Sequence, residues 1–236
     1  NYSIFISASS ALVVLGGTIS ATFLSYHFVD ILRTFKDCWH TIVPSEKPID
    51  LQQDITQLVS WAQEVQTHGV SHFEAKLDEL SHKDEFTYYA LNLLSDQYNT
   101  TDLMEVLENF IISRYERDNI SVDILSSMSV FAPAFGMIGT LIGLIVMLDG
   151  LGGDPAKLGA GLAVALNTTF YGVIVANLFC KPWSNKVKMN NQLLRDRNLL
   201  LAEGFVLIAN NTDPLVIQGK LNSFVELNQQ HDMFSD

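Results

Sequence analysis

The chain has 236 residues, 48% of them apolar, and 26 acidic against 14 basic side chains give it a formal charge of −12. That balance excludes a nucleic-acid-binding role, which rewards basic faces. The charge is also segregated: it lies mainly in residues 30–128 and the tail, between long apolar runs.

The first run, Ile4–Val29, has a Gly pair, Gly16–Gly17, at its middle. No basic stretch precedes it and no small-residue cleavage site follows it, which sets aside a signal peptide. It predicts a membrane-spanning helix within residues 1–29. The chain opens on Asn and not Met, so more sequence is expected upstream and three spans are a minimum.

Residues 30–127 read as a helical cytoplasmic domain. Asp30–Thr41 predicts a short amphipathic helix leaving the membrane, and Pro44 and Pro48 mark a loop. Over Ile49–Gln66 the apolar residues Leu51, Ile55, Leu58, Val59, Ala62 and Val65 follow the spacing of a surface helix. Gly69 ends it, and Ser71–Leu80 predicts another. Phe86–Tyr98 and Thr101–Leu125 come next, with Asn99–Asp102 as the turn and N-cap between them. His68, His72 and His82 come without paired cysteines and predict no metal site. Cys38 and Cys180 lack metal-like spacing and read as inert thiols.

Residues 128–182 predict a membrane hairpin. Phe131–Leu148 and Leu158–Cys180 contain no Asp, Glu, Lys, Arg or His. Each has about the roughly 20 residues that a helix needs to cross the hydrocarbon. Their polarity is confined to small side chains: Gly136, Gly139, Thr140 and Gly143 in one, Gly161, Asn167, Thr168, Thr169 and Gly172 in the other. Such residues let helices approach closely where lipid supplies no hydrophobic drive. Pro133 and Pro182 bracket the hairpin, and Pro133 removes an amide donor near its cytoplasmic edge.

Residues 183–236 predict two cytoplasmic helices. A long one carries Leu193, Leu194, Leu199–Leu201, Phe205 and Ile208 and runs to Asn210. Leu215–Leu227 is opened by Asn211-Thr212-Asp213-Pro214, with Pro just inside the helix. Arg33 and Lys36 follow the first run, and Lys181, Lys186, Lys188, Arg195 and Arg197 follow the last. Basic residues stay on the cytoplasmic side, so the middle segment and C-terminus are expected there. No β-patterned run is evident; the fold class is all-α, a multi-span helical membrane protein with a helical cytoplasmic domain. No nucleophile–base pair or phosphate-binding Gly loop points to an enzyme.

Four stretches carry a family resemblance. ALVVLGGTISATFLSY (11–26), APAFGMIGTLIGL (132–144) and ALNTTFYGVIVAN (165–177) resemble the second, third and fourth spans of the MotA/PomA stator subunits of ion-driven bacterial motors. LLLAEGFVLIANNTDPLVIQGKLNSF (199–224) is similar to their C-terminal cytoplasmic element. The match covers nearly the whole chain, and the third-span and fourth-span motifs are the specific ones. It implies four spans, the first of them absent here, in a pentameric ring within the lipid bilayer of the bacterial inner membrane. The ring would surround a dimeric MotB/PomB-type partner, and H⁺ or Na⁺ flow would work on a cytoplasmic rotor protein of the flagellar switch. No cofactor is implied besides the transported ion.

An ion cannot cross hydrocarbon without a titratable or multi-oxygen site. The bare runs therefore need a carboxylate from another polypeptide, or from the absent span; the resemblance assigns it to the partner's single-span Asp. Thr140 and Thr169 match positions on the ion path of sodium-driven members, with Thr168 beside them. Hydroxyls could complete the shell of a partly dehydrated cation; the alternative is that they bond a preceding carbonyl. Pro133 and Pro182 match the family's functional proline pair, and Asn167 is a candidate for bonding across the ring. Aligned through GVSHFEAKLDEL (69–80), the family's basic rotor positions are Gln66 and Thr67 here. Glu74 keeps an acid, Ala75 and Leu77 replace others, and Lys76 adds charge nearby. That departure leaves a second reading open, a TolQ/ExbB-like or other ion-driven energiser of an envelope, gliding or defence system. Those relatives lack a span ending at a Gly pair before a long cytoplasmic segment, and rank second.

Overall fold

A computed structural model describes residues 6–42, 49–69, 84–96, 98–149 and 155–225, and every regular element among them is helical. In chain order these are α1 (Ala8–Ser25), α2 (Phe28–Ile42), α3 (Leu51–His68), α4 (Glu85–Ser95), α5 (Thr100–Asp149), α6 (Pro155–Ile174), α7 (Lys181–Ala209) and α8 (Pro214–Leu221). A π-helical segment, Val175–Cys180, joins α6 to α7. The chain forms two compact units, one from residues 1–45 and 118–190, the other from 46–117 and 191–236. Residues 30–45, 118–127 and 183–190, read from the sequence as cytoplasmic, thus cluster with the apolar runs.

In the first unit, α1 starts on Ser7, whose side chain accepts from the Ser10 amide. Its buried residues, Ser10, Val14, Thr18 and Thr22, fall at strict four-residue spacing. A helix of 3.6 residues per turn drifts off such a row. The π segment Leu12–Gly16 adds the residue that keeps the row on one side. Thr18 and Thr22 donate to the carbonyls of Val14 and Thr18, at 2.6 and 2.8 Å.

The first run is expected to stay helical to Val29; the helix ends at Ser25 instead. Tyr26 is extended (φ −133, ψ 158), and its hydroxyl is pinned to Ser127 Oγ at 2.7 Å. Phe28 and Val29 then open α2. That helix buries Ile31, Thr34 and Cys38 and exposes Phe28, Leu32, Phe35 and Trp39. Its polar side is fastened to α5 by an Arg33–Asp118 ion pair. Ser121 adds a link, donating to Asp37 at 2.6 Å.

Thr101–Leu125 and the span from Met128 are one helix of 50 residues, α5, which passes through Pro133. No Gly or Pro separates the two halves, so nothing in the chain stops the helix. Pro182 likewise starts no new element, because α6, the π segment and α7 abut without a break. A proline inside a helix removes one amide and crowds the carbonyl four residues back, here that of Leu178. The widened π turn lies over that position.

The second unit has a conventional core: Leu58, Leu91, Leu103, Leu107, Ile111, Leu200, Phe205, Ile217 and Leu221 are essentially fully buried. Trp61 stacks on Phe205 with centroids 5.8 Å apart. Asp50 caps α3 by accepting from the Gln52 and Gln53 amides. Asp213 caps α8 ahead of Pro214, accepting from Leu215 at 2.8 Å. The last helix stops at Leu221 and tightens into a 3₁₀ turn, Asn222–Phe224, short of the expected Leu227. The helix expected over Ser71–Leu80, with His72, Glu74 and Lys76, lies outside the described residues, as does His82.

Candidate functional site: a glycine seam and an open hydroxyl face

The site is the hairpin of α5 and α6 in the first unit. Gly136, Gly139 and Gly143 on α5 face Gly161, Ala165, Thr168 and Gly172 on α6. A Cβ on Gly143 would stand 2.6 Å from both the Ala165 amide nitrogen and the Gly161 carbonyl oxygen. One on Gly161 would stand 2.7 Å from the Gly143 carbonyl oxygen, and one on Gly172 2.7 Å from that of Ala132. The helices thus touch backbone to backbone, from Met147 down to Pro133, and at Gly143, Gly161 and Gly172 no larger residue fits without moving main chain.

The seam separates two adjacent threonines. Thr168 is fully buried, with its hydroxyl donating to the Val164 and Ala165 carbonyls, each at 3.0 Å. Its side chain occupies the space that a Cβ on Gly139 would need, 2.4 Å away. Thr168 is therefore packed into the seam against Gly139, turned away from the exposed face of the hairpin. Thr169, one residue on, is exposed in a stripe with Leu162, Leu166 and Val173. Its hydroxyl lies 3.4 Å from the Ala165 carbonyl, a loose contact that leaves it available to another acceptor. Thr140 is half-buried and donates to the Met137 carbonyl at 2.7 Å. Asn167 is buried.

Gly17 is packed as the seam glycines are: the Phe135 ring lies 2.2 Å from where its Cβ would be. Gly16 is exposed, with nothing within 4 Å. The phenolic ends of two tyrosines fix α1 within this unit, Tyr26 to Ser127 and Tyr171 to the Ser7 amide at 3.0 Å. Neither link announces itself in the sequence, since each pairs residues about a hundred or more apart. Cys38 sits in a small apolar cluster with Leu125 and Val187. Burial, then Asp37, then Cys180 push its thiol up to about 11. Among the described residues no group of His, Cys, Asp or Glu could hold a metal ion.

In the second unit, Gln66 and Thr67 lie on the last turn of α3. Gln66 donates to the Thr212 carbonyl at 3.3 Å, and Thr67 bonds the Gln63 carbonyl at 3.0 Å. The strongest polar feature is one that sequence reading missed. Arg197 grips Asp54 with two nitrogens, Nε to Oδ2 at 2.7 Å and Nη2 to Oδ1 at 2.9 Å. Its Nη2 also lies 2.7 Å from Asp84 Oδ2. Asp84 caps α4 as well, accepting from Thr87 Oγ1 at 2.8 Å. Burial alone would push the Asp84 carboxyl up; Arg197 and the two Thr87 donors reverse this and leave it below its ordinary value. Burial alone would lower the Arg197 guanidinium, but Asp54 and Asp84 raise it, so it stays charged.

The fold and site define a class: an all-α membrane protein with, among the described residues, three helices long and apolar enough to cross a bilayer, whose close-packed apolar runs offer hydroxyls and no charge. A family model, the MotA/TolQ/ExbB proton channel family, matches residues 78–197. Motility protein A of Aquifex aeolicus is 34% identical over 184 residues, which cover 78% of this chain and 71% of that protein. Chemotaxis protein PomA of Vibrio alginolyticus is 27% identical, over 94% of this chain and 85% of its own. The flagellar MotAB stator complex of Bacillus subtilis contains a chain similar in fold, with a TM-score of 0.85 at 21% identity, over 96% of this chain and 88% of that one. The chain belongs to the MotA/TolQ/ExbB proton channel family, on its motility protein A side.

Proposed function

We propose that this chain is the ion-conducting subunit of a flagellar stator, coupling H⁺ or Na⁺ flow across the inner membrane to torque on a cytoplasmic rotor. The observation that carries the reading is the pair of charge-free runs in the hairpin, Phe131–Leu148 and Leu158–Cys180, with Thr169 exposed on the second. A transported cation needs a carboxylate and several oxygens. The hairpin supplies oxygens alone, so the acid comes from a single-span partner of the MotB/PomB type. Several copies of the open stripe Leu162–Leu166–Thr169–Val173 would enclose that partner helix, as in a pentameric ring. The seam keeps α5 and α6 together while the open face meets the partner. No cofactor takes part; the transported ion is the substrate, and the chain does no covalent chemistry.

The test is rotation of cells that lack their own stator and carry this chain with its partner, measured against external Na⁺ at fixed pH. Wild type should rotate, and Thr169→Ala should lose most of that rotation while the complex still assembles. Rotation rising with Na⁺ names sodium; indifference to Na⁺ with arrest by a protonophore names the proton. Full rotation in Thr169→Ala would remove Thr169 from the path, and no rotation in wild type would remove the stator reading.

A further inference from the structure

The first turn of α3, the cap of α4 and the middle of α7 meet at one guanidinium. The side chains of Asp54, Asp84 and Arg197 are only 11%, 20% and 18% exposed. An ion pair this far from water is costly unless its hydrogen bonds are complete. Here they nearly are: Asp54 takes a planar two-pronged grip, and Asp84 accepts from Arg197 and the Thr87 hydroxyl at Oδ2 and from the Thr87 amide at Oδ1. Two acids on one base make a poor choice if stability alone mattered, because apolar residues of similar volume pack as well. A forked cation held by two carboxylates on separate helices instead fixes direction, since the guanidinium plane admits few arrangements.

α3 is held at both ends, by Arg197 at its first turn and by Gln66 at its last. The last turn carries Gln66 and Thr67, the positions that match the family's rotor-facing basic residues. We propose that Arg197 is a positioning residue for torque. It locks α3 and α4 to α7, the helix that continues the last apolar run, so that force on α3 is borne by α7 and not lost in sliding between helices. It touches no ion and plays no part in conduction. The inference rests on the stator reading.

The experiment uses the full chain with its partner in a host without its own stator. It measures three quantities side by side: the amount of complex recovered with the tagged partner, ion influx, and rotation speed under low and high load. Arg197→Lys keeps the charge and loses the fork. Losing one charge-assisted bond lowers the correctly held population by roughly tenfold. The complex should be recovered and conduct as wild type does, while rotation at high load falls by more than about twofold and low-load rotation falls less. Arg197→Gln combined with Asp54→Asn and Asp84→Asn retains hydrogen bonds without burying charge, and guards against simple misfolding. It should show the same high-load deficit.

High-load torque at the wild-type level in Arg197→Lys would overturn the proposal. So would recovery, influx and torque falling in parallel, the signature of a merely structural role. Failure of wild type to rotate at any load would instead sink the stator reading on which the proposal depends.

Discussion

The two units are built from the same kind of element and hold together in opposite ways. In the second unit large side chains point inward; Leu58, Leu103, Leu107, Phe205 and Ile217 are fully buried. In the hairpin of the first, Met137, Leu141, Ile145, Leu162, Leu166 and Leu178 point outward, and the seam between its helices is lined by Gly136, Gly139, Gly143, Gly161 and Gly172. Water drives the first arrangement, because burying apolar area is favourable there. Lipid offers no such gain, so helices in it associate through close backbone contact and local hydroxyl bonds. Side-chain volume is therefore stabilising on one side of the chain and disruptive on the other.

The comparison breaks hardest at Phe205. Phe205→Ala should cost the second unit about 3–5 kcal/mol through lost burial and a residual cavity. Near-ultraviolet circular dichroism of the purified complex during thermal unfolding reads it; a shift indistinguishable from zero would mean that this core is not where stability resides. Next comes the opposite change in the hairpin. Gly143→Val should cost about 1–3 kcal/mol by forcing main chain apart, and recovered complex should fall accordingly. The same substitution at Gly16, with open space around it, should leave recovery unchanged. Equal losses at both glycines would argue that helix propensity, not the seam, sets the cost.

The smallest effect expected is that of pH on the Arg197 clasp. The folded Asp84 carboxyl lies below its ordinary value of 3.8. Its stabilising contribution is thus complete above that value and lost only as pH falls through the lower, folded one. Unfolding of the second unit should not move on this account between pH 8 and about pH 5, and should weaken only below about pH 4. A weakening near neutrality would show that another group governs the unit.

Much of this was legible in the sequence because it is local. Uncharged runs of sufficient length gave the spans, Gly69 and Asp213-Pro214 gave helix ends, and the glycine spacing gave the close-packed hairpin. What escaped depends on distance or on phase. Arg197 read as one more cytoplasmic charge because its partner Asp54 lies 143 residues away. Thr168 and Thr169 read alike until the seam fixed which faces inward. The end of α1 was missed because apolar Phe28 and Val29 continue the run across an extended Tyr26. Continuity through Pro182 was missed because a proline is normally a boundary, and here a widened turn precedes it.

That widened turn has a directional consequence. Down α6 the buried row is Gly161, Ala165, Thr168 and Gly172, and it proceeds through Ala176, Cys180, Ser184 and Val187. A regular helix would have carried that row to 179, 183 and 186, each one position earlier. Val175–Cys180 thus acts as a phase shifter, and deleting any one of its residues would leave a helix of nearly the same length, rotated by roughly 100° beyond the cut. Ser184 and Val187 would swing off their neighbours while every residue upstream kept its place. The segment sets the phase of the buried row along its own helix, and it does so by residue count and not by residue type.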